Sequence, residues 1–160
     1  MRIGIISDTH DNIIYIRKAL KVFSEQGIEF FLHAGDLISP EILKEFKGWQ
    51  AKFVLGNCDY EVEKINSEAN CLGFPPVKNF SEFEIDAKSF ILFHGDNIPL
   101  FREAVASGKY DYIIKGHTHF SENYFSNNTR IINPGSLSNT GDHSLAILDV
   151  LADQVDFIKL

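Results

Sequence analysis

An apolar run that ends in a polar cluster occupies residues 2–10, Arg2-Ile3-Gly4-Ile5-Ile6-Ser7-Asp8-Thr9-His10. The aliphatic half is typical of a buried strand, and the polar half carries a carboxylate and an imidazole two residues apart. The next segment, Asp11 to Gln26, has apolar residues at three- and four-residue spacing and predicts an amphipathic helix that ends near Gly27. A strand followed by a helix indicates an α/β fold.

The same arrangement, an apolar run closed by metal-competent side chains, recurs four more times along the chain. The closing clusters are Gly35-Asp36, Gly56-Asn57-Cys58-Asp59, His94-Gly95-Asp96 and Gly116-His117-Thr118-His119. In open α/β sheets ligands bind at the carboxyl ends of the strands, so we expect the five clusters to converge. Within the pairs Asp8-x-His10 and His117-x-His119, an extended backbone would point both side chains in the same direction.

The rest of the pattern predicts helices early in the chain and hairpins late. Further strands are expected at 29–34, 52–55 and 112–114, and further helices after Ser39 and over Pro99–Ser107. Hairpins are expected to turn near Asp86-Ala87-Lys88, at Asn127-Asn128 and between 148 and 155. Residues 60–80 give no readable pattern. These elements predict one domain over 1–160, an α/β sandwich with mixed sheets.

Composition narrows the partners and the compartment. The chain has 160 residues, 22 acidic against 15 basic side chains and no basic stripe, which argues against long nucleic acid as a partner. No apolar run approaches the roughly 20 residues of a membrane span, and the first residues lack signal-peptide anatomy. The two cysteines, Cys58 and Cys71, form no CxxC pair, so free thiols in a reducing cytoplasm are expected.

The polar clusters have the chemistry of a divalent-metal site. Asp and His side chains bind borderline cations such as manganese, iron, cobalt, nickel and zinc. Two four-ligand sites that share one carboxylate require seven ligands. The clusters supply that number: Asp8, His10, Asp36, Asn57, His94, His117 and His119.

The motifs D-x-H, G-D, G-N-x-D, a glycine-flanked His and G-H-x-H, in this order, resemble those of the metallophosphoesterases, the calcineurin-like phosphoesterase superfamily. The Asn57-Cys58-Asp59 form of the third motif is similar to that of its small YfcE-type members. The resemblance covers the whole chain and implies a two-sheet α/β/β/α sandwich. It also implies one metal held by Asp8, His10, Asp36 and His119, and a second held by Asp36, Asn57, His94 and His117, with Asp36 bridging.

The function that this resemblance implies is a dinuclear metal-dependent phosphodiesterase acting on a small phosphate ester, with Asp8, Asp36, Asn57 and His94 as the catalytic group. Mn²⁺ is the expected ion, with Ni²⁺, Co²⁺, Fe²⁺ or Zn²⁺ as alternatives. A hydroxide bridging the ions would attack phosphorus, because a bound metal lowers the pKa of water. The alternative is a non-catalytic assembly scaffold similar to the retromer subunit of this subfamily. The complete set of metal-competent residues favours the enzyme.

Several polar neighbours have two interpretations at this stage. His33, inside the second strand, is expected to orient a ligand or to pack in the core, with metal ligation as the alternative, and His143 is expected to be solvated in a polar loop. Asp59 could orient a ligand or cap the following helix, and Asn12 could contact substrate or cap the first helix. The stretch formed by Phe74-Pro75-Pro76 and Phe80–Phe83 leaves open a homo-oligomer interface, with burial inside the monomer as the other interpretation.

Two positions differ from the pattern of larger relatives. Where many of them carry a histidine that is thought to protonate the departing alkoxide, this chain has Cys58, a weak hydrogen-bond donor. The loop Asn133-Pro134-Gly135-Ser136 resembles a loop near the family's site. Relatives often have an arginine shortly after it, and residues 138–144 contain none. We therefore expect no cationic clamp on the substrate from this loop.

Overall fold

The computed structural model describes all 160 residues as two five-stranded sheets with helices on their outer faces. The strands are β1 Arg2–Ile6, β2 Phe30–His33, β3 Gln50–Phe53, β4 Phe80–Ile85, β5 Lys88–Phe93, β6 Tyr112–Ile114, β7 Ser121–Ser126, β8 Thr129–Pro134, β9 Ser144–Asp149 and β10 Gln154–Lys159. The helices are α1 Ile13–Glu25, α2 Val62–Leu72, α3 Ile98–Ser107 and a 3-10 helix at Pro40–Phe46. None of them is long and apolar enough to cross a membrane.

Both sheets are mixed, as predicted. The first has the strand order β10-β9-β1-β2-β3, in which β1, β2 and β3 are parallel. The second has the order β4-β5-β6-β8-β7, in which β5, β6 and β8 are parallel. The ring of His94, directly after β5, lies with Nδ1 2.8 Å from the carbonyl oxygen of Ala34, directly after β2. The carboxyl ends of the parallel strands in the two sheets therefore meet at one edge of the sandwich.

Alternation along the strands builds the layers. Ile3 and Ile5 of β1 belong to the core between the sheets, whereas Ile6 packs in the core beneath α1. A side chain at Gly4 would place its Cβ 2.4 Å from the ring of Phe23, so glycine is what allows α1 to lie close to β1. On the other side, Ala104 of α3 packs in a third core cluster against the second sheet. The predicted α/β/β/α sandwich is confirmed.

Two segments differ from expectation. The strand predicted at 52–55 is β3 at Gln50–Phe53, because the chain then leaves this ladder: the backbone N–H of Leu55 donates to the carbonyl oxygen of Lys78 at 2.8 Å. Within the unreadable residues 60–80 lies α2, which buries only Ile65 and Ala69 and so has almost no apolar face to detect.

Candidate metal centre

The seven predicted ligands all lie in the loops that follow β1, β2, β3, β5 and β6. Backbone hydrogen bonds join these loops to one another. The N–H of Asp8 donates to the carbonyl oxygen of Gly35 at 3.0 Å, and that of His10 donates to Asp36 at 3.1 Å. In the second sheet the N–H of Gly116 donates to the carbonyl oxygen of His94 at 2.8 Å. The ligand loops are thereby held together by main-chain contacts.

One side of the cluster is formed by Asp8, His10 and His119, whose ligating atoms lie within 4.8 Å of one another. Nε2 of His119 is 3.2 Å from Oδ1 of Asp8, and Nε2 of His10 is 3.3 Å from Oδ2 of Asp36. These four residues are the set that the family resemblance assigns to the first ion.

The other side is formed around His94. Its Nε2 lies 3.0 Å from Oδ1 of Asn57 and 3.4 Å from Oδ2 of Asp36. The exposed ring of His117 lies 5.1 Å from the His94 ring, centroid to centroid. The same oxygen of Asp36 therefore faces His10 on one side and His94 on the other, which is the position that a bridging carboxylate requires.

The cluster contains buried polar atoms without hydrogen-bond partners. The Asp8 side chain is fully buried, its Oδ2 accepts from the N–H of His117 at 3.0 Å, and its Oδ1 has no donor. Nε2 of His10 is also buried without a hydrogen bond. Buried polar atoms are normally satisfied because leaving one unpaired is costly. Carboxylate oxygens and imidazole nitrogens aimed at one another fit a divalent cation between them.

The backbone of these loops is strained. Five of the predicted ligands have positive φ, a region that residues other than glycine rarely adopt: Asp8 at 51°, His10 at 42°, Asp36 at 59°, His117 at 70° and His119 at 65°. Each such residue costs about 1–3 kcal/mol and persists only where its surroundings impose it. The expectation of an extended backbone for the pairs Asp8/His10 and His117/His119 is therefore wrong. Tight turns aim the side chains instead, and they send His117 toward His94 and His119 toward Asp8.

The carboxylates raise the pKa of two neighbouring imidazoles in the metal-free protein. Burial alone would lower the pKa of His94, but its hydrogen bond with Asp36 and the charges of Asp8 and Asp36 outweigh that and raise it to about 9. Contact with the Asp36 carboxylate likewise raises the pKa of His10. Burial would raise the pKa of Asp36, yet its contacts with His10 and His94 hold it well below the usual range. Metal binding must displace protons from these imidazoles, because a histidine binds a metal in its neutral form.

Two further side chains position the ligand loops. The Asp59 carboxylate accepts from the N–H groups of Gly56 at 2.7 Å, Ile38 at 2.8 Å and Asp36 at 3.0 Å. Asp59 does not cap α2, whose N-cap is Glu61. Of its two interpretations, the one in which it orients a ligand loop is therefore correct. Burial raises the pKa of Asp59, and this effect outweighs the three hydrogen bonds, which lower it.

Asn133 does the same for the last motif. Its Nδ2 donates to the carbonyl oxygen of Gly116 at 2.8 Å and to Oγ1 of Thr118 at 3.0 Å. The sequence analysis placed Asn133 in a loop near the site and assigned it no role. The sequence could not have shown this role, because an asparagine that supports a ligand loop looks the same in the sequence as one in any polar loop.

The two histidines outside the ligand set behave differently. His33 is fully buried, with Nε2 3.0 Å from Oγ1 of Thr9 and Nδ1 accepting from the N–H of Gly35 at 3.2 Å, so it supports the first two ligand loops. Burial lowers its pKa to about 3. The expectation that His143 is solvated is wrong. Its ring stacks on Tyr15 with centroids 3.9 Å apart and its Nε2 is buried, because its loop lies over α1.

Asn12 and Cys58 complete the surroundings. Asn12 is the N-cap of α1, and its Nδ2 donates to the carbonyl oxygen of Leu137 at 2.9 Å, so both ends of its amide have structural partners. Cys58 is half-buried, and its Sγ accepts from Nδ2 of Asn57 at 3.3 Å. Burial, followed by the charge of Asp36, raises the pKa of the Cys58 thiol to about 11.

The family model of the calcineurin-like phosphoesterase superfamily domain matches residues 1–153. The chain therefore belongs to this superfamily, and the predicted family is confirmed. The phosphodiesterase MJ0936 of Methanocaldococcus jannaschii is 36% identical over 156 residues, which cover 93% of each protein. The phosphodiesterase YfcE of Escherichia coli K12 is 24% identical over 158 residues, which cover 86% of this chain and 80% of YfcE. The phosphoesterase domain and these relatives support a hydrolase activity.

Solved structures agree with the architecture. An archaeal phosphodiesterase superposes with a TM-score of 0.91 at 34% identity over the full length of both chains. Vps29 from Entamoeba histolytica, solved with Zn²⁺, superposes with a TM-score of 0.67 at 18% identity and is matched over 98% of its length. At that identity the likeness to Vps29 is one of fold alone.

Proposed function

We propose that the protein is a dinuclear metal-dependent phosphodiesterase. The observation that carries this proposal is the position of Asp36 Oδ2, 3.3 Å from Nε2 of His10 and 3.4 Å from Nε2 of His94. In this proposal Asp36 bridges the two ions. The first ion is held by Asp8, His10, Asp36 and His119, and the second by Asp36, Asn57, His94 and His117.

Divalent ions bound there would supply a Lewis acid for the phosphoryl oxygens and would lower the pKa of bound water to about 7. Asp8 and Asp36 return only two negative charges to the ligand set, so the loaded site attracts an anionic ester without any lysine or arginine. Asn57 and His94, 3.0 Å apart, hold each other's orientation, and Asn133 and Asp59 hold the loops. The proposed catalytic group is Asp8, Asp36, Asn57 and His94. It is supported by the ligating atoms of Asp8, Asp36 and His94, which lie within 4.8 Å of one another, and by the contact of Asn57 with His94.

The finer assignments are also part of this proposal. Mn²⁺ is the proposed ion, with Ni²⁺, Co²⁺, Fe²⁺ or Zn²⁺ as alternatives, and the mixed carboxylate, amide and imidazole donors are compatible with each of them. Residues 1–160 act as one domain, because ligands come from loops of both sheets. The substrate is a small phosphate ester and the setting is the cytoplasm, where Cys58 and Cys71 stay reduced.

The scaffold alternative is less well supported. It rests on the likeness to Vps29, which extends to the fold alone at 18% identity. A scaffold has no need of a buried carboxylate oxygen without a donor, as at Asp8, or of strained backbone at the ligand positions. We therefore favour the enzyme.

Chelation followed by reconstitution tests the proposal. The protein is stripped with a chelator, reloaded with one divalent metal at a time and assayed with bis(p-nitrophenyl) phosphate. We expect activity to be lost and then restored, most strongly by Mn²⁺, with two ions bound per chain. Asp156→Asn, an exposed carboxylate on β10, should behave as wild type. No tight metal binding and no hydrolysis with any metal would contradict the proposal.

A further inference from the structure

A cleft of about 330 Å³ opens beside the candidate centre, between the loops that follow β3 and β5. Its walls include Leu55, Gly56, Phe80, Phe93, Asp96 and Leu100. This volume lies at the lower end of the range for small-molecule sites, which are mostly apolar with a few polar groups. Half of the lining residues of this cleft are apolar, and Asn79, Asp96 and Asn97 supply polar groups.

The cleft is adjacent to the reacting centre. Gly56 directly precedes Asn57 and Phe93 directly precedes His94, the two predicted ligands that lie 3.0 Å apart. The backbone of Gly56 also packs on the proposed bridging carboxylate, because a Cβ at this position would lie 2.1 Å from Oδ1 of Asp36. A phosphate bound at the centre would therefore have one of its ester arms at the mouth of this cleft.

The charge of the cleft is negative. Asp96 is the only ionisable side chain in its lining, it is exposed, and it forms no ion pair. Neither lysine nor arginine contributes to the walls. A carboxylate in this position repels a second anionic group on the substrate and accepts hydrogen bonds from a neutral one.

The end of α3 that borders the cleft offers no anchor for an anion either. The N–H of Ile98 donates to the carbonyl oxygen of Asp96 at 3.1 Å, and Pro99 has no N–H. The N–H of Leu100 donates to Oδ1 of Asn97 and that of Phe101 donates to the carbonyl oxygen of Asn97, both at 3.0 Å. The first-turn donors that usually bind phosphate are all occupied.

We propose that this cleft binds one organic arm of the substrate, and that the arm is an uncharged aromatic or heterocyclic group carrying hydrogen-bond donors. The exposed ring of Phe80 and the half-buried side chain of Leu100 supply apolar contact, and Asp96 accepts the donors. The inference rests on the proposed phosphodiesterase function and names its substrate class: diesters with neutral ring-bearing arms, not polyphosphates or esters with acidic arms.

Competitive inhibition by two matched symmetric diesters tests the charge of the arm. Diphenyl phosphate and bis(4-carboxyphenyl) phosphate differ only in carboxylates, and each has the same group on both arms. Against bis(p-nitrophenyl) phosphate with metal-loaded enzyme, we expect diphenyl phosphate to inhibit about tenfold more tightly. Asp96→Lys should bring the ratio of the two inhibition constants near one. Glu29→Lys, the same charge change at the opposite edge of the first sheet, should leave the ratio unchanged.

A second pair of variants tests the ring contact. Phe80→Ala should raise the inhibition constant of diphenyl phosphate about three- to tenfold, whereas Phe125→Ala, an exposed phenylalanine on β7, should not. An inhibition ratio that stays the same in Asp96→Lys, with diester hydrolysis intact, would overturn the inference and leave the proposed function standing. Failure of metal-loaded wild type to hydrolyse bis(p-nitrophenyl) phosphate would overturn both.

Discussion

Cys58 occupies the position at which many larger relatives carry a histidine, and in the metal-free protein its surroundings raise the pKa of its thiol. Burial and the nearby Asp36 carboxylate raise its pKa to about 11, and its sulfur already accepts a hydrogen bond from Asn57. A thiol is a weak donor, so little general-acid assistance to a leaving group is expected here. Hydrolysis should therefore depend steeply on the pKa of the leaving group.

Substitutions at Cys58 test this directly. Cys58→Ala should change the turnover of aryl diesters little, because phenolates leave unaided, and Cys58→His should selectively speed alkyl ester hydrolysis, since a positioned acid contributes about 10²- to 10⁴-fold. The measurement is kcat over a series of esters of increasing leaving-group pKa, with the exposed Cys71→Ala as control. If Cys58→Ala abolishes aryl hydrolysis while both metals stay bound, the thiol has a catalytic role.

The sequence could predict which residues converge at the carboxyl ends of the strands, but it could not predict their backbone conformation. Asp8, His10 and Asp36 have positive φ values that arise from hydrogen bonds between loops distant in the chain. Local sequence favours the opposite for these residue types. His143 was misjudged for a related reason, because its stacking on Tyr15 depends on a contact between distant segments.

At the scale of elements, close backbone approach is what brings the ligand loops together. Gly56, in the loop after β3, lies against Asp36, and Gly116, in the loop after β6, lies against Ser7 and Asp8. A Cβ at Gly116 would lie 1.9 Å from Oγ of Ser7. Glycine is therefore required at Gly56 and Gly116 for steric reasons, and this requirement can be tested.

Gly56→Ala should move the bridging carboxylate, because the added Cβ would lie 2.1 Å from Oδ1 of Asp36 and 2.5 Å from the Asp36 backbone nitrogen. We expect metal affinity and diester turnover to fall by at least about tenfold, as one-ångström misplacements in active sites commonly cost that much or more. Gly48→Ala is the control, since nothing lies within 4 Å of its Cβ although its φ of 89° costs stability. Equal activity in both variants would show that the Asp36 loop tolerates displacement.

Asp59→Ala should destabilise the same loop. It removes the acceptor for the N–H groups of Asp36, Ile38 and Gly56, and each buried donor left unpaired costs about 1–3 kcal/mol. Urea unfolding of the metal-free variant should show a loss of about 3 kcal/mol or more, against none for the exposed Asp156→Ala. A loss below about 1 kcal/mol would mean that water replaces the carboxylate.

Elements with a strong apolar pattern were predictable, and those whose burial is slight were not. The run in β1 and the spacing in α1 give their positions within two residues at each end. α2 buries only two residues. The segment after Ser39 forms a 3-10 helix at Pro40–Phe46, and the residues that start a helix do not distinguish a 3-10 helix from an α-helix. Packing against the first sheet, which no local pattern encodes, decides both.

At the scale of the whole molecule, the buried His33 makes stability depend on pH. Its pKa is about 3 in the folded protein against 6.5 for an unperturbed imidazole. Between these two pH values the unfolded chain binds a proton at His33 and the folded protein does not. Its contribution to stability is complete above pH 6.5 and is lost as the pH falls from 6.5 toward 3, at up to about 1.4 kcal/mol per pH unit.

The comparison with His33→Gln isolates this effect. Between pH 7 and pH 5, the free energy of unfolding of metal-free wild type should fall by about 2 kcal/mol more than that of the variant. Urea unfolding at the two pH values gives both numbers, and the remaining histidines are common to the two proteins. Parallel pH profiles would mean that His33 titrates normally in the folded state.

In the proposed enzyme one carboxylate, Asp36, joins ligands from both sheets into a two-metal site. The most direct measurement is the number of metal ions bound per chain in Asp36→Asn, by elemental analysis after reconstitution with Mn²⁺. We predict two ions in wild type, weakening of both sites together in Asp36→Asn, and weakening mainly of one in Asp8→Asn. Two tightly bound ions in Asp36→Asn, with unchanged diester turnover, would contradict the account.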